Sequence, residues 1–125
     1  ESSSAVSAEG SRSLALWLEG ASASTPGYVR TRPDGSLGAG GTVMMQAYLD
    51  ASNTNVVVRL YLQDATWKWV AMSPTSVLSP RSWATLTLAV PPSIIPPIQN
   101  IGLQVMTRAN TGSYTGSLYV DDVRW

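Results

Sequence analysis

The sequence predicts an all-β domain, a sandwich or a barrel, and three observations indicate this class. Several short segments alternate apolar and polar side chains with period two, the pattern of strands that bury one face. Clusters of Gly, Pro, Ser and Asn separate these segments at short intervals. Apolar residues do not recur at helical spacing in any segment. With 125 residues and no internal repeat, the chain is predicted to form one domain over 1–125, with a loosely held amino-terminal segment at 1–9.

The first half of the chain contains three predicted strands, at residues 13–19, 28–32 and 42–50. The first strand directs three Leu side chains to one face and Trp17 to the other. In the second strand, Tyr28 shares its face with the Arg residues two and four positions further on. Small polar stretches, a Pro-Asp-Gly turn and a Gly-rich connector lie between the three strands, and these are residues that favour turns.

The segment 55–69 (NVVVRLYLQDATWKW) carries the most informative alternation of the chain. Its aliphatic residues share one strand face, whereas Arg59, Tyr61 and Gln63 share the other. These three side chains are planar groups with directional hydrogen bonds, which a face turned only to water does not need. Further along, Trp67 and Trp69 have the spacing of residues on one strand face. We interpret the segment as the floor of a ligand groove; the alternative is a half-buried strand with an ordinary polar outer face.

The second half adds three predicted strands, at residues 83–90, 101–108 and 117–125. Residues 71–80 are predicted to form a Pro-punctuated crossing, and residues 110–116 a loop. Four Pro residues lie in the segment 91–97, and Pro is excluded both from helix interiors and from central strands. We interpret Trp83 as a cap at the edge of the core, while Trp17 either flanks the groove or packs under a loop.

The composition excludes several classes of function. The chain has neither Cys nor His, which removes disulfides, thiolate and imidazole metal sites, and Ser-His catalysis. Eight basic residues balance eight acidic ones, so we predict no nucleic-acid partner. No apolar run reaches the ~18 residues of a membrane span, so we also predict no membrane association. A glycosidase needs two carboxylates across a cleft, and only Asp64 lies near the predicted groove, so we predict that the chain is not an enzyme.

The order of motifs along the chain resembles that of a known family. A strand ending in YLQD is followed by WKW, SWATLTLAVP, IGLQV and YTGSLYVDDV. This order is similar to that of the β-jelly-roll carbohydrate-binding modules of bacterial polysaccharide-degrading enzymes. The match covers roughly Gly10 to Trp125, with the family's closing strand at 116–123 and its strand-opening Trp at Trp83. Many such modules also have a strand upstream of the segment 10–14, and here only nine residues precede Gly10, so that strand is short or missing.

The resemblance implies a jelly-roll β-sandwich of two antiparallel sheets that binds a polysaccharide or oligosaccharide. It also implies a secreted, extracellular protein in which the module is covalently linked to a catalytic domain, such as a glycoside hydrolase or lyase. A β-1,4-linked hexose chain, such as β-glucan or β-mannan, suits a groove lined by separated Trp residues. The alternative function is a structural or protein-interaction β-sandwich that acts as a spacer in a secreted multidomain protein.

The chemistry of sugars indicates which residues would bind such a chain. Sugar rings have apolar C–H faces that stack on indoles, and hydroxyls at their edges that accept and donate hydrogen bonds. A jelly roll would place strand 101–108 beside the central strand and strand 28–32 at the margin. The predicted ligand-binding residues are Trp67, Trp69, Arg59, Tyr61, Gln63, Gln104, Arg30 and Tyr28.

The closing strand contains the acidic pair Asp121-Asp122. The modules that the chain resembles commonly hold a structural calcium ion where the last strand meets the amino-terminal segment. Calcium binds about six to eight oxygens, many of them backbone carbonyls, so one or two carboxylates suffice. The resemblance implies Asp122 and Glu9 as the calcium ligands; the alternative is that the pair simply ends an exposed strand.

Overall fold

The fold is built from ten β-strands, in a computed structural model that describes residues 2–3, 13–33, 35, 37–52 and 55–125, without the side chains of residues 2–3, 13–15 and 122. The strands are β1 (Ser2–Ser3), β2 (Ser13–Ala21), β3 (Gly27–Thr31), β4 (Thr42–Leu49), β5 (Val56–Gln63), β6 (Trp69–Met72), β7 (Ser76–Val77), β8 (Trp83–Ala89), β9 (Asn100–Thr107) and β10 (Tyr114–Arg124). None of the described residues forms an α-helix, and hence none forms a helix long and apolar enough to cross a membrane.

The strands form two antiparallel sheets that pack face to face. The back sheet has the order β1-β2-β10-β4-β8. The front sheet has the order β3-β9-β5-β6, and β7 also pairs with β5. From β2 onwards the chain passes from one sheet to the other at nearly every connection, and it remains in the front sheet only from β5 to β7. The predicted all-β jelly-roll sandwich of two antiparallel sheets is confirmed.

The core lies between the sheets, where the alternating strands direct their aliphatic side chains. In β5, Val56, Val58, Leu60 and Leu62 are fully buried, as the sequence predicted. In β4, every second residue from Val43 to Leu49 is buried, and these residues belong to the same apolar cluster. Burying one such side chain contributes about 1.5–3 kcal/mol. Because the inward face of β5 is committed to the core, its polar residues point away from it.

Three segments differ from the sequence prediction. The predicted crossing at 71–80 contains the end of β6 and the short β7. Pairing with β7 gives backbone hydrogen-bond partners to part of the edge of β5. The predicted loop at 110–116 contains the start of β10, because the Tyr114 hydroxyl bonds the Ser117 carbonyl across a bulge at 3.0 Å. An amino-terminal strand is present, since Ser2–Ser3 pairs with β2.

Side-chain packing explains why position 116 in β10 is a glycine. A Cβ atom at Gly116 would meet the ring of Tyr114, which folds back over the bulge. Only glycine leaves room for this ring. This explains the glycine at the start of the motif 116–123 that was noted in the sequence.

Candidate functional site

The candidate site lies on the face of the front sheet that points away from the core, which we call the ligand face. Strand pairing lines up its residues in three rows across β3, β9, β5 and β6. The rows are Tyr28–Gln104–Arg59, then Arg30–Gly102–Tyr61, then Asn100–Gln63–Trp69. Seven of the eight predicted ligand-binding residues therefore fall on three adjacent rows, and the eighth is Trp67.

The first row is a chain of hydrogen bonds. Arg59 Nε donates to Gln104 Oε1 at 2.6 Å, and Gln104 Nε2 donates to the Tyr28 hydroxyl at 3.2 Å. A guanidinium has only donors, so the oxygen of the Gln104 amide must face Arg59 and its nitrogen must face Tyr28. The Tyr28 hydroxyl is therefore an acceptor within the sheet, and its own proton is available to a ligand. Tyr28 is 51% exposed.

The second row is organised around Gly102. A Cβ atom at this position would collide with the ring of Tyr61, which lies over the glycine and is almost fully buried. Trp69 stacks on Tyr61 with a centroid distance of 4.0 Å and an angle of 5° between the planes. The ring of Tyr28 meets both with its edge, at 6.2 Å from Tyr61 and 6.0 Å from Trp69. A glycine inside a strand therefore lets three aromatic rings pack on the sheet.

Burial raises the pKa of the Tyr61 phenol, while the positive charge of Arg30 lowers it and Tyr28 raises it further. The net direction is upward, so the hydroxyl stays protonated at neutral pH. Tyr61 can therefore donate a hydrogen bond. Arg59 adds a cation close to the same rings, with Cζ 5.7 Å from the centre of the Trp69 ring.

The third row fixes the amide of Gln63. Its Oε1 accepts from Asn100 Nδ2 at 3.0 Å, and its Nε2 donates to the carbonyl oxygen of Trp67 at 3.0 Å. A carbonyl oxygen only accepts, so the orientation of this amide is also determined by its partners.

The turn between β5 and β6 is held by Asp64, which is only 2% exposed. One carboxylate oxygen accepts from the Thr66 hydroxyl at 2.6 Å and from the Thr66 amide at 2.9 Å. The other accepts from the Ile95 amide at 3.0 Å. These bonds, together with the charge of Lys68, lower the pKa of Asp64 against the opposing effect of burial. Asp64 therefore ties the turn to the Pro-rich loop as a carboxylate.

Trp67 does not share a face with Trp69 in the way that the spacing predicted. It lies in the turn with φ of 64°, and β6 begins only at Trp69, so strand alternation does not relate the two residues. Its side chain is 58% exposed. Whether Trp67 contacts a ligand stays a prediction.

A cavity of about 570 Å³ opens on the ligand face. Its described lining consists of Tyr28, Arg30, Tyr61, Gln63 and Trp69. Ligand pockets in proteins commonly measure about 300–1,000 Å³, so the cavity has room for sugar residues. Trp67 is not among its described lining residues. Sequence reasoning missed Gly102 and Asn100, and a glycine inside a predicted strand was the signal for a close approach.

The remaining aromatic residues lie elsewhere. Trp83, Tyr48 and Tyr119 are paired across β8, β4 and β10 and form a row of rings on the outward face of the back sheet. Trp83 is half-buried in this row, packed on Tyr48 at 5.3 Å between centroids, rather than at the edge of the core. Trp17 is 64% exposed on the same sheet, so it does not flank the ligand face.

Both residues that the resemblance implies for calcium lie outside the described set. Glu9 belongs to the undescribed segment 4–12, and the side chain of Asp122 in β10 is not described. Among the described side chains, no three Asp or Glu residues are grouped closely enough to hold a metal ion.

Comparison with known proteins supports the fold. No family model and no curated protein matches the sequence. One solved structure, described as "Structural basis for the promiscuous specificity of the carbohydrate-binding modules from the beta-sandwich super family", matches with a TM-score of 0.75 and 18% identity. The match covers 99% of this chain and 51% of the other, so this chain spans about half the length of that protein. The chain therefore has the fold of a β-sandwich carbohydrate-binding module, and the resemblance predicted from the motifs is confirmed at the level of the fold.

Proposed function

We propose that this domain is a non-catalytic carbohydrate-binding module that holds a polysaccharide on its ligand face. The observation that carries the proposal is the Trp69–Tyr61 stack, with oriented hydrogen-bonding groups on either side of it. The stack provides a flat apolar surface for a sugar ring, and Arg59, Tyr28 and Arg30 provide donors for the oxygens at its edge. Groups that are already oriented lose little entropy when they bind a ligand.

The shape of the chain that binds is proposed from the spacing of the aromatic residues. Tyr28 and Trp69 border the cavity, and Trp67 lies on the turn that leads into β6. A ring at Trp67 in addition to the packed cluster of Tyr28, Tyr61 and Trp69 suits an extended polysaccharide, so we propose a β-1,4-linked hexose backbone such as that of β-glucan or β-mannan. The solved neighbour is a carbohydrate-binding module by its description, which supports the class of ligand and not its identity.

The proposal excludes a catalytic role for the carboxylate nearest to the groove. Both oxygens of Asp64 accept hydrogen bonds within the protein, and its lowered pKa keeps it ionised. A general acid needs the opposite, a raised pKa and access to the leaving group. We propose instead that the module is secreted and directs a covalently linked glycoside hydrolase or lyase to its polysaccharide.

The first test is affinity electrophoresis through gels that contain β-glucan, mannan, xylan or galactan. Binding to one or more of these is expected, and Trp69→Ala should weaken it by about 1–3 kcal/mol because the indole supplies a large contact area. Trp17→Ala, an equally large truncation on the back sheet, is the matched control and should bind normally. If the folded Trp69→Ala variant is retarded in these gels as strongly as the unmodified domain, the assignment of binding to the ligand face is contradicted. Failure of every glycan to bind would favour the structural or protein-interaction spacer.

A further inference from the structure

The ligand face offers a ligand mainly hydrogen-bond donors. Two of the three side-chain amide oxygens of this face are already used inside the protein, Gln104 Oε1 by Arg59 and Gln63 Oε1 by Asn100, and Asn100 itself is only 9% exposed. The two oxygens of Asp64, at the end of β5, are likewise occupied by Thr66 and Ile95. The oxygens of the two glutamines and of Asp64 are therefore already engaged.

Several donors, by contrast, line the cavity or lie beside it. The guanidinium of Arg59 is bonded to Gln104 through Nε, which leaves the N–H groups of its two terminal nitrogens as further donors. Arg30 and the phenol of Tyr61 line the cavity. The Tyr28 hydroxyl accepts from Gln104, which leaves its proton for a ligand.

Charge is distributed unequally between the two sheets. Arg30 and Arg59 lie on the ligand face, and Arg32, two residues along from Arg30, lines a neighbouring cavity of about 440 Å³ beside the Pro-rich loop. Within the described part of the chain, no carboxylate forms an ion pair with any of these three arginines. The other described carboxylates are on the back sheet or at its margin: Glu19, Asp50 and Asp121. Among the described side chains, the charges that lie on the ligand face are thus mainly positive.

From the excess of hydrogen-bond donors and positive charge on the ligand face, and on the basis of the proposed function, we infer that the ligand is a glycan whose hexose units carry carboxylates, that is, a hexuronate chain. A sugar hydroxyl both donates and accepts, and on a face of donors its own proton would find few acceptors. A carboxylate only accepts, and a guanidinium can meet it with two parallel hydrogen bonds. A carboxylate at C6 is compatible with the same extended β-1,4-linked backbone.

The test uses two ligands that differ only in this group. A β-1,4-linked glucose oligosaccharide and its counterpart of equal length, oxidised to the carboxylate at C6, are titrated calorimetrically at about 20 mM and about 200 mM salt. The oxidised chain should bind at least about tenfold more tightly at low salt, and its affinity should fall as salt screens the arginines. Arg30→Gln should remove most of this preference, because it should weaken binding of the oxidised chain far more than binding of the neutral chain. Arg81→Gln, an exposed arginine in the loop that leads into β8, is the control and should change neither affinity.

Each outcome separates the two proposals. Equal, salt-independent affinity for the two chains would overturn the hexuronate inference and leave carbohydrate binding standing. Tighter binding of a sulfated oligosaccharide than of the oxidised chain would also overturn it, because the face would then select another anion. If neither chain binds and the gels that contain polysaccharide show no retardation, the proposed function itself fails. Melting curves of Arg30→Gln and Arg81→Gln that match the unmodified domain ensure that lost affinity does not reflect lost folding.

Discussion

Among single residues, Arg59 illustrates how the front sheet orients a functional side chain. Its Nε donates to Gln104 Oε1 at 2.6 Å, and the strand register places the two residues directly opposite each other. A structural pairing of Arg59 with Asp50 or Asp64 is the rival idea. Asp50 follows β4 of the back sheet, however, and the oxygens of Asp64 accept from Thr66 and Ile95 instead. The partner of Arg59 is thus a neutral amide, which leaves the positive charge to a ligand.

Arg59→Lys should therefore weaken glycan binding by at least about tenfold and leave the melting temperature almost unchanged. An ammonium keeps the charge but cannot provide two parallel hydrogen bonds, and losing a bond from a charged group costs about 1.5–3 kcal/mol. Calorimetry with and without sugar measures both quantities on one variant. A lower melting temperature with unaltered affinity would show that Arg59 has a structural role and remove it from the site.

At the scale of the strands, the ligand face depends on a glycine in β9. Gly102→Ala should weaken binding by about tenfold or more, because the new Cβ atom would displace the Tyr61 ring and with it the stacked Trp69. Overpacking of this kind also lowers stability, typically by about 1–3 kcal/mol. Near-ultraviolet circular dichroism should report the altered stack. Gly38→Ala is the matched control, since a Cβ atom there meets open space and should change neither the spectrum nor the affinity.

The turn between β5 and β6 is the second element on which the site depends. Asp64 has a lowered pKa, so its hydrogen bonds stabilise the fold above the ordinary value of 3.8, and this contribution is lost as the pH falls through the lowered value. Asp64→Asn should therefore melt at a lower temperature at pH 7 and lose less stability on acidification. Melting curves between about pH 7 and pH 2 test this, with Asp50→Asn as the control for removing an exposed carboxylate. Parallel pH profiles for the variant and the unmodified domain would contradict the role of Asp64.

Strand β5 and the turn that follows it show what the sequence can and cannot predict. The faces of β5 follow from local alternation, so Arg59, Tyr61 and Gln63 could be assigned to one face without a structure. The position of Trp67 could not be predicted, because it depends on a turn with positive φ that Asp64 stabilises through Ile95, 31 residues away. Which strands are neighbours was likewise beyond local alternation and came only as an implication of the family resemblance.

At the scale of the whole molecule, the sandwich separates stability from recognition. Strand β5 contributes to both, since Val58 and Leu60 are fully buried in the core while Arg59 and Tyr61 form part of the ligand face. Large-to-small changes on the inner face, such as Leu60→Ala, cost about 2–5 kcal/mol of stability. Changes of exposed groups on the outer face can alter binding at much smaller cost, so Arg59→Lys can be compared with the unmodified domain at nearly equal stability.

The family resemblance also implies a calcium ion, which would be a second contribution to the stability of the whole molecule. We propose that it is structural and joins the closing strand to the amino-terminal segment through Asp122 and Glu9. An ion that binds only the native state stabilises it by about 2.7 kcal/mol at a concentration one hundred times Kd. A chelator should therefore lower the melting temperature by several degrees, and Asp122→Ala should abolish that sensitivity, whereas Glu19→Ala on β2 should retain it. Superimposable melting curves with calcium and with chelator would reject the calcium site and leave the ligand face unaffected, since Asp122 lies on β10 of the back sheet.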